Sequence, residues 1–130
     1  PVTSRKKFYN VRADIQDPSR YAALEQAGVL FLDREAVATY VFFDNRLFSY
    51  HVFVRDTDEA ALDRQMREFL IGAFGTDFSA IEDETPLKMI WHHRDRLVNY
   101  WLFKEDLTLQ QKYGAAYGVV YRPIEESIKN

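Results

Sequence analysis

One segment of the chain, Val37–Gly75, limits the folds open to this sequence more than any other. Its first part alternates in the two-residue period of strands and is interrupted by Asp44–Asn45, residue types that tolerate the backbone angles of a tight turn. Its second part, Asp56–Phe74, repeats apolar side chains at helical spacing and ends before Gly75, a residue that commonly stops helices. The segment therefore predicts a β-hairpin followed by one long helix. The two predicted strands are Val37–Phe43 and Leu47–Val54.

The start of this long helix carries a capping pattern. Asp56 or Thr57 is the predicted N-cap, and Glu59, three residues after Asp56, completes a capping box. The apolar residues of the helix recur at spacings of three and four and form one stripe, which we expect to face a sheet. The stripe consists of Leu62, Met66, Phe69, Leu70 and Ala73.

The N-terminal part of the chain is more polar. Residues 1–16 are predicted to form an extended arm. Asp17–Pro18 is typical of a helix start, with Asp as the cap and Pro at the first helical position, so we expect a short helix over Pro18–Ala27 that ends at Gly28. Val29–Leu32 is predicted to be a short strand, and Asp33–Glu35 a turn.

The second half of the chain predicts another hairpin and a last strand. Thr76–Pro86 is predicted to be a loop. The remaining predicted elements are the strands Leu87–His93 and Leu97–Phe103 around a turn at Arg94–Asp95, the strand Ala115–Arg122, and a helical turn at Ile124–Lys129. This order predicts a single α+β domain over residues 1–130: an antiparallel sheet of about five strands, one long helix packed across one face, and a short N-terminal helix.

Composition narrows the function classes. The net charge of −3 and the pI of about 5.6 argue against a nucleic-acid binder, which would show a basic patch. Because there are no cysteines, disulfides, thiol catalysis and cysteine-based zinc sites are excluded. No apolar run approaches the ~18 residues that suggest a membrane span. Since the chain begins with Pro1, we expect that an upstream segment was removed, and a signal peptide or lipid anchor fits that expectation.

Four local patterns support a family resemblance. They are the acidic turn before an Arg-Leu strand start at Asp44–Leu47, the helix that closes at Phe74–Gly75, the Trp91 strand, and a last strand that ends at Tyr121–Pro123. Over Val37 to Pro123 the chain resembles small bacterial exported or lipid-anchored α+β domains without an assigned activity. The resemblance implies a fold and favours a periplasmic or otherwise exported setting over the cytosol.

Side-chain alternation divides the two hairpins into two faces, because successive residues of a strand point to opposite sides of the sheet. One face is nearly all apolar, and we expect the long helix to cover it. That face consists of Phe48, Tyr50, Val52, Val54, Val98, Tyr100 and Leu102. The other combines large aromatic rings with polar groups, together with Leu47 and Leu97, and we call it the aromatic face. Its predicted contact residues are Ser49, His51, Phe53, Asn99, Trp101 and Phe103.

An exposed sheet face is expected to be polar, yet the aromatic face is not. One interpretation is that the N-terminal helix or the arm covers it as a second core layer. The other is a binding surface, since aromatic rings beside hydrogen-bonding groups are typical of interfaces and pockets. On this second interpretation the occupant is a protein partner, a second copy of the chain or a small apolar ligand, and the domain is a non-enzymatic binding or interaction domain, such as a bacterial envelope accessory protein.

Catalytic and metal-binding alternatives find less support in the sequence. His92 and His93 are neighbours on a predicted strand and therefore point to opposite faces. Ser49 and His51 are two residues apart, too far for a nucleophile–base hydrogen bond. The remaining alternative is a small enzyme or ligand-binding domain with a pocket between the sheet and the 76–86 loop, in which His51 or His92 works with Glu82 or Asp83. We expect no cofactor and no metal.

Overall fold

The computed structural model describes residues 2–6, 20–56, 58–81, 87–103 and 114–129. These residues form eight strands and two helices. The strands are β1 (Val2–Lys6), β2 (Tyr21–Phe31), β3 (Arg34–Phe43), β4 (Arg46–Val54), β5 (Phe78–Ile81), β6 (Leu87–His93), β7 (Arg96–Leu102) and β8 (Ala115–Tyr121). The helices are α1 (Glu59–Phe74) and α2 (Arg122–Lys129).

All eight strands belong to one antiparallel sheet in the order β1-β2-β3-β4-β8-β7-β6-β5. The predicted α+β class with an antiparallel sheet is confirmed. The strand count is higher than predicted, because Val2–Lys6 of the predicted arm and Phe78–Ile81 of the predicted loop both pair into the sheet. The rest of that arm and of that loop lies outside the described residues.

The predicted helix over Pro18–Ala27 is wrong, since Tyr21–Phe31 is strand β2. The alanines, Leu24, Glu25 and Gln26 of this segment favour a helix locally. The segment forms a strand instead because its backbone is hydrogen-bonded to β1 on one side and to β3 on the other. Gly28, predicted to stop the helix, has φ +70° within the irregularity between Gln26 and Val29. Gly28 therefore serves a β-bulge, where its lack of a side chain permits the left-handed backbone.

The two predicted hairpins are confirmed. Asp44 and Asn45 both have positive φ, 51° and 63°, as the tight turn between right-twisted strands requires. The β6–β7 hairpin turns at Arg94–Asp95 as expected, and the β2–β3 turn places Leu32 and Asp33 at φ 51° and 61°.

A helix is present before Gly75 as predicted, but it spans Glu59–Phe74 and is one of two short helices rather than the single long one expected, and its cap is different. The N-cap is Asp58, whose carboxylate accepts a hydrogen bond from the backbone N–H of Ala61 at 3.2 Å. The predicted capping box of Asp56 with Glu59 is therefore wrong, and Asp56 instead accepts from the N–H of Asp58 at 2.9 Å. Gly75 ends the helix as predicted, and its N–H donates to the Ile71 carbonyl at 2.8 Å.

Helix α1 packs on one face of the sheet and forms the main core. Leu62, Met66 and Leu70 are fully buried there, whereas Phe69 is 37% exposed at the flank and Ala73 is exposed, so the apolar stripe is narrower than predicted. Of the sheet residues expected beneath the helix, five are buried in this core and Tyr50 is half-buried at its border. The five are Val52, Val54, Val98, Tyr100 and Leu102. Among the described residues, no helix is long and apolar enough to cross a membrane.

Phe48 was expected beneath α1 and instead lies on the opposite face. The register with β3 shifts here, because Ser49 pairs with Val41 but Leu47 pairs with Phe42, which leaves Phe48 as the extra residue of a β-bulge. Phe48 packs with Val41 and Phe43 in a second apolar cluster away from α1. The same shift moves Leu47 to the α1 side of the sheet. Leu47 pairs with Phe42, which by alternation lies on the same side of β3 as Ala38 and Tyr40 in the core under α1. The predicted place of Leu47 on the aromatic face is therefore also wrong.

Candidate functional site

The aromatic face lies on the side of the sheet away from α1, as the strand register shows. One row of paired residues runs through Thr39, His51, Gly118 and Asn99, and the next runs through Val37, Phe53, Ala116 and Trp101. Paired residues share a face, and the residues between these rows form the core under α1. Four neighbouring strands, β3, β4, β8 and β7, therefore bring the predicted site residues His51, Phe53, Asn99 and Trp101 onto one surface.

His51 lies flat across the central strand β8. A methyl group added at Gly118 would come within 2.3 Å of His51 Cδ2 and 2.6 Å of Nε2, so the imidazole ring occupies the space that a side chain at position 118 would need. Burial in this position lowers the pKa of His51 below its ordinary value of 6.5. The ring is therefore neutral at pH 7, with one nitrogen as a donor and the other as an acceptor.

Trp101 and Phe53 flank the imidazole ring. The centroid of the His51 ring is 5.9 Å from that of Trp101 and 6.4 Å from that of Phe53, with interplanar angles of 26° and 27°. All three side chains are half-buried. They form a near-parallel layer of rings over Gly118 and Ala116, with part of each ring on the surface.

The other three predicted site residues are less accessible. Ser49, Asn99 and Phe103 are all buried. Phe103 directly follows β7, and its backbone N–H donates to the carbonyl of Gly114, the residue before β8, at 3.1 Å. Of the six predicted contact residues, His51, Phe53 and Trp101 are therefore the ones that reach the surface, and the polar groups of Ser49 and Asn99 are buried.

A helix does cover one end of the aromatic face, but it is the C-terminal one. Ile124 of α2 and Val120 of β8 pack against the second apolar cluster of Val41, Phe43 and Phe48. The predicted covering helix at the N-terminus does not exist, because that segment is β2. In the part of the chain that the structure describes, α2 is the helix on this side of the sheet, and His51 and Trp101 lie outside its cluster.

The histidines are not brought together. His51 is in β4 and His92 in β6, with β8 and β7 between them. His92 has its Nδ1 3.4 Å from Arg122, and the ring of His93 lies edge-on to Phe74 at 5.6 Å. Within the described residues, no group of three His, Asp or Glu side chains is placed to hold a metal ion. Glu82 and Asp83, the predicted carboxylates of the enzyme alternative, lie outside the described residues.

Gly118 and Ala116 are the site residues that sequence reasoning missed. The His51 ring occupies the space above Gly118, and Ala116 is the small β8 residue that pairs with both Phe53 and Trp101. The small residues Ala116 and Gly118, two positions apart on one face of a predicted strand, were visible in the sequence. They indicate room for neighbouring rings only if β8 lies between β4 and β7, and no local pattern indicates that placement.

Comparisons with protein-family models, curated proteins and solved structures found no match for this chain.

Proposed function

We propose that this protein is a non-enzymatic binding domain that contacts a protein partner through the aromatic face. The observation that supports the proposal is the layer of His51, Phe53 and Trp101 rings, half-buried and on the side of the sheet opposite α1. Aromatic rings fixed by neighbouring strands lose little freedom on binding and are enriched at the centres of interfaces. The proposal does not depend on the exported setting that the sequence pattern favours.

The size of this surface indicates what kind of partner fits. Four strands about 4.8 Å apart and two rows of side chains about 7 Å apart span roughly 20 Å by 15 Å, or about 300 Å². A standard interface buries about 800 Å² on each partner, so a symmetric dimer built on this patch alone would be undersized. The proposed occupant is therefore a short apolar segment of another protein, packed beside α2.

Site-specific photocrosslinking in the source cells tests the proposal. A photoreactive phenylalanine analogue is placed at position 53, and a matched control carries it at position 69, an exposed phenylalanine of α1 on the other side of the sheet. We expect one adduct of defined mass from position 53 and none from position 69. We also expect that Trp101→Ala abolishes the adduct while thermal unfolding still shows a folded domain.

Three outcomes would overturn the proposal. The first is no adduct at position 53, and the second is the same adduct at position 69. The third is an adduct with the mass of two copies of this chain, which would identify the aromatic face as a self-association surface.

A further inference from the structure

Leu30 of β2 is the most exposed large apolar side chain of the described residues, at 78% exposure. The strand register places it on the same side of the sheet as the aromatic face. Leu30 pairs with Glu35 of β3, which by alternation shares its side with Val37. Val29 and Phe31, the neighbours of Leu30 in the strand, pack instead against the core under α1. Leu30 therefore points away from that core, on the side where the His51, Phe53 and Trp101 rings lie.

Leu30 is also continuous with these rings. Val37, half-buried, is its diagonal neighbour across the β2–β3 pair, at about 7–8 Å. Val37 in turn pairs directly with Phe53, at about 5 Å, and Phe53 is followed by the rings of His51 and Trp101. Apolar side chains exposed singly need no explanation, whereas contiguous apolar patches mark contact sites. We call the five residues Leu30, Val37, Phe53, His51 and Trp101 the extended face.

The extended face crosses five neighbouring strands, in the order β2-β3-β4-β8-β7. Four strand spacings of about 4.8 Å separate Leu30 at one end from Trp101 at the other by about 19 Å. An extended segment of about six residues covers this distance. Ile124 of α2 packs on the second apolar cluster on the same side of the sheet, so such a segment would lie beside α2.

The charged groups near Leu30 are mainly acidic. Glu35 and Asp33 of the β2–β3 turn are exposed, and neither is ion-paired with a side chain that the structure describes. Arg34, between them in sequence, lies on the α1 side, where its Nε donates to Asp56 at 2.5 Å. On the Leu30 side the two carboxylates outnumber the one guanidinium group nearby, that of Arg55, whose backbone N–H donates to the Glu35 carbonyl at 3.1 Å.

We infer that the partner segment bound by the aromatic face also contacts Leu30, and that it carries a lysine or arginine next to the apolar side chain that covers Leu30. The inference rests on the function proposed above and adds a second apolar anchor and a charge to the description of the partner. Complementary charges at the rim of an interface fix the register of a partner more than its affinity. The segment therefore lies in one direction, with its basic residue at the β2 end near Glu35 and Asp33.

Photocrosslinking from position 30 tests the second anchor. The photoreactive phenylalanine analogue is placed there in the same cells, and we expect an adduct of the same mass as the one from position 53. With the analogue at position 53, Leu30→Ser should lower the adduct yield about tenfold, the effect of one buried leucine side chain, whereas Leu30→Met should retain it. Because Leu30 is 78% exposed, both variants should unfold at the temperature of the native chain.

A charge reversal tests the basic residue of the partner. Glu35→Lys should lower the adduct yield from position 53 about threefold, as expected for an exposed ion pair at the rim. Glu68→Lys is the matched control, because it makes the same charge change at an exposed position of α1, on the other side of the sheet. We expect no effect of Glu68→Lys on the yield.

The outcomes separate this inference from the proposed function. An adduct from position 53 without one from position 30 would overturn the inference alone, as would adducts of different mass or an undiminished yield in Leu30→Ser. Equal yields in Glu35→Lys and Glu68→Lys would overturn the basic residue assigned to the partner. Absence of an adduct from position 53 would overturn the proposed function, and the inference with it.

Discussion

Replacing Gly118 with alanine tests the arrangement at the centre of the aromatic face. The added methyl group would lie 2.3 Å from His51 Cδ2, 2.6 Å from Nε2 and 3.1 Å from Cγ, and real Cβ atoms essentially never come closer than 3.0 Å to such atoms. The imidazole ring must therefore move. Because it stacks on Trp101 and Phe53, any movement away from Gly118 disturbs both contacts.

The expected cost follows from these contacts. An aromatic pair contributes about 0.5–1.5 kcal/mol beyond its buried area. An extra methylene group in a packed site costs about 1–3 kcal/mol, since side chains leave their preferred positions. The substitution should thus lower the free energy of unfolding by about 1–3 kcal/mol, at the lower end if the ring swings freely into solvent. Gly118 needs no unusual backbone angle, so no strain from φ adds to this figure.

A double-mutant cycle isolates the free-energy cost of the contact between the added methyl group and the His51 ring. Unfolding in urea is monitored by tryptophan fluorescence and circular dichroism. In a His51→Ala background the methyl group has room, and Gly118→Ala should then be neutral or stabilise by up to about 1 kcal/mol, because glycine is unfavourable within strands. Gly72→Ala is the control for the same chemical change, since Gly72 lies in α1 with no atom within 4 Å of an added Cβ, and it should stabilise by about 0.8–1 kcal/mol. An equal cost of Gly118→Ala with and without the His51 ring would refute this reasoning.

Three further predictions concern single side chains. Burial lowers the pKa of His51 in the folded state, so protonation of the imidazole favours the unfolded chain. The stability associated with the neutral ring is present above pH 6.5 and is lost as the pH falls below 6.5. Urea midpoints measured between pH 8 and pH 5 should therefore decline more steeply for the native chain than for His51→Gln. Tyr100→Phe removes the hydroxyl that donates to Asp63 at 2.8 Å and should cost about 1.5–3 kcal/mol in the same unfolding assay, since the acceptor is charged; a cost near zero would contradict the importance of this contact. Asp33→Gly, at an exposed turn position with φ 61°, should raise the melting temperature by relieving about 1 kcal/mol of left-handed strain, and a lower melting temperature would contradict this.

The parts of the fold that could be predicted are those set by local periodicity. The strands on both sides of Asp44–Asn45 and the helix that ends at Gly75 follow from side-chain alternation, helical spacing and turn residues within a few positions. The residues under α1, such as Val52 and Tyr100, followed from the same alternation once the helix was assigned to one face.

The errors occurred where a distant partner decides the structure. Tyr21–Phe31 has the composition of a helix and becomes a strand because β1 and β3 pair with it on both sides. Phe48 changes face because one extra residue in β4 shifts the register, and no feature of its own sequence marks the bulge. Phe78–Ile81 is a four-residue strand too short to show a period, and β6 stabilises it at the edge of the sheet.

The candidate site followed partly from the sequence. His51, Phe53 and Trp101 were assigned to one face by parity, and the register places them together. The burial of Ser49 and Asn99 and the role of Gly118 depend on β8 lying between β4 and β7. That placement is a consequence of the whole topology and has no local signal.

Collisional quenching of tryptophan fluorescence by iodide tests the central claim, that the aromatic face is accessible from solvent. The chain has two tryptophans: Trp91 is fully buried under α1, and Trp101 is half-buried on the aromatic face. The native protein should show a readily quenched component that Trp101→Phe removes, leaving the emission of Trp91 almost unquenched. If the native protein and Trp101→Phe are equally shielded from iodide, Trp101 is covered by its own chain and cannot form the contact surface proposed here.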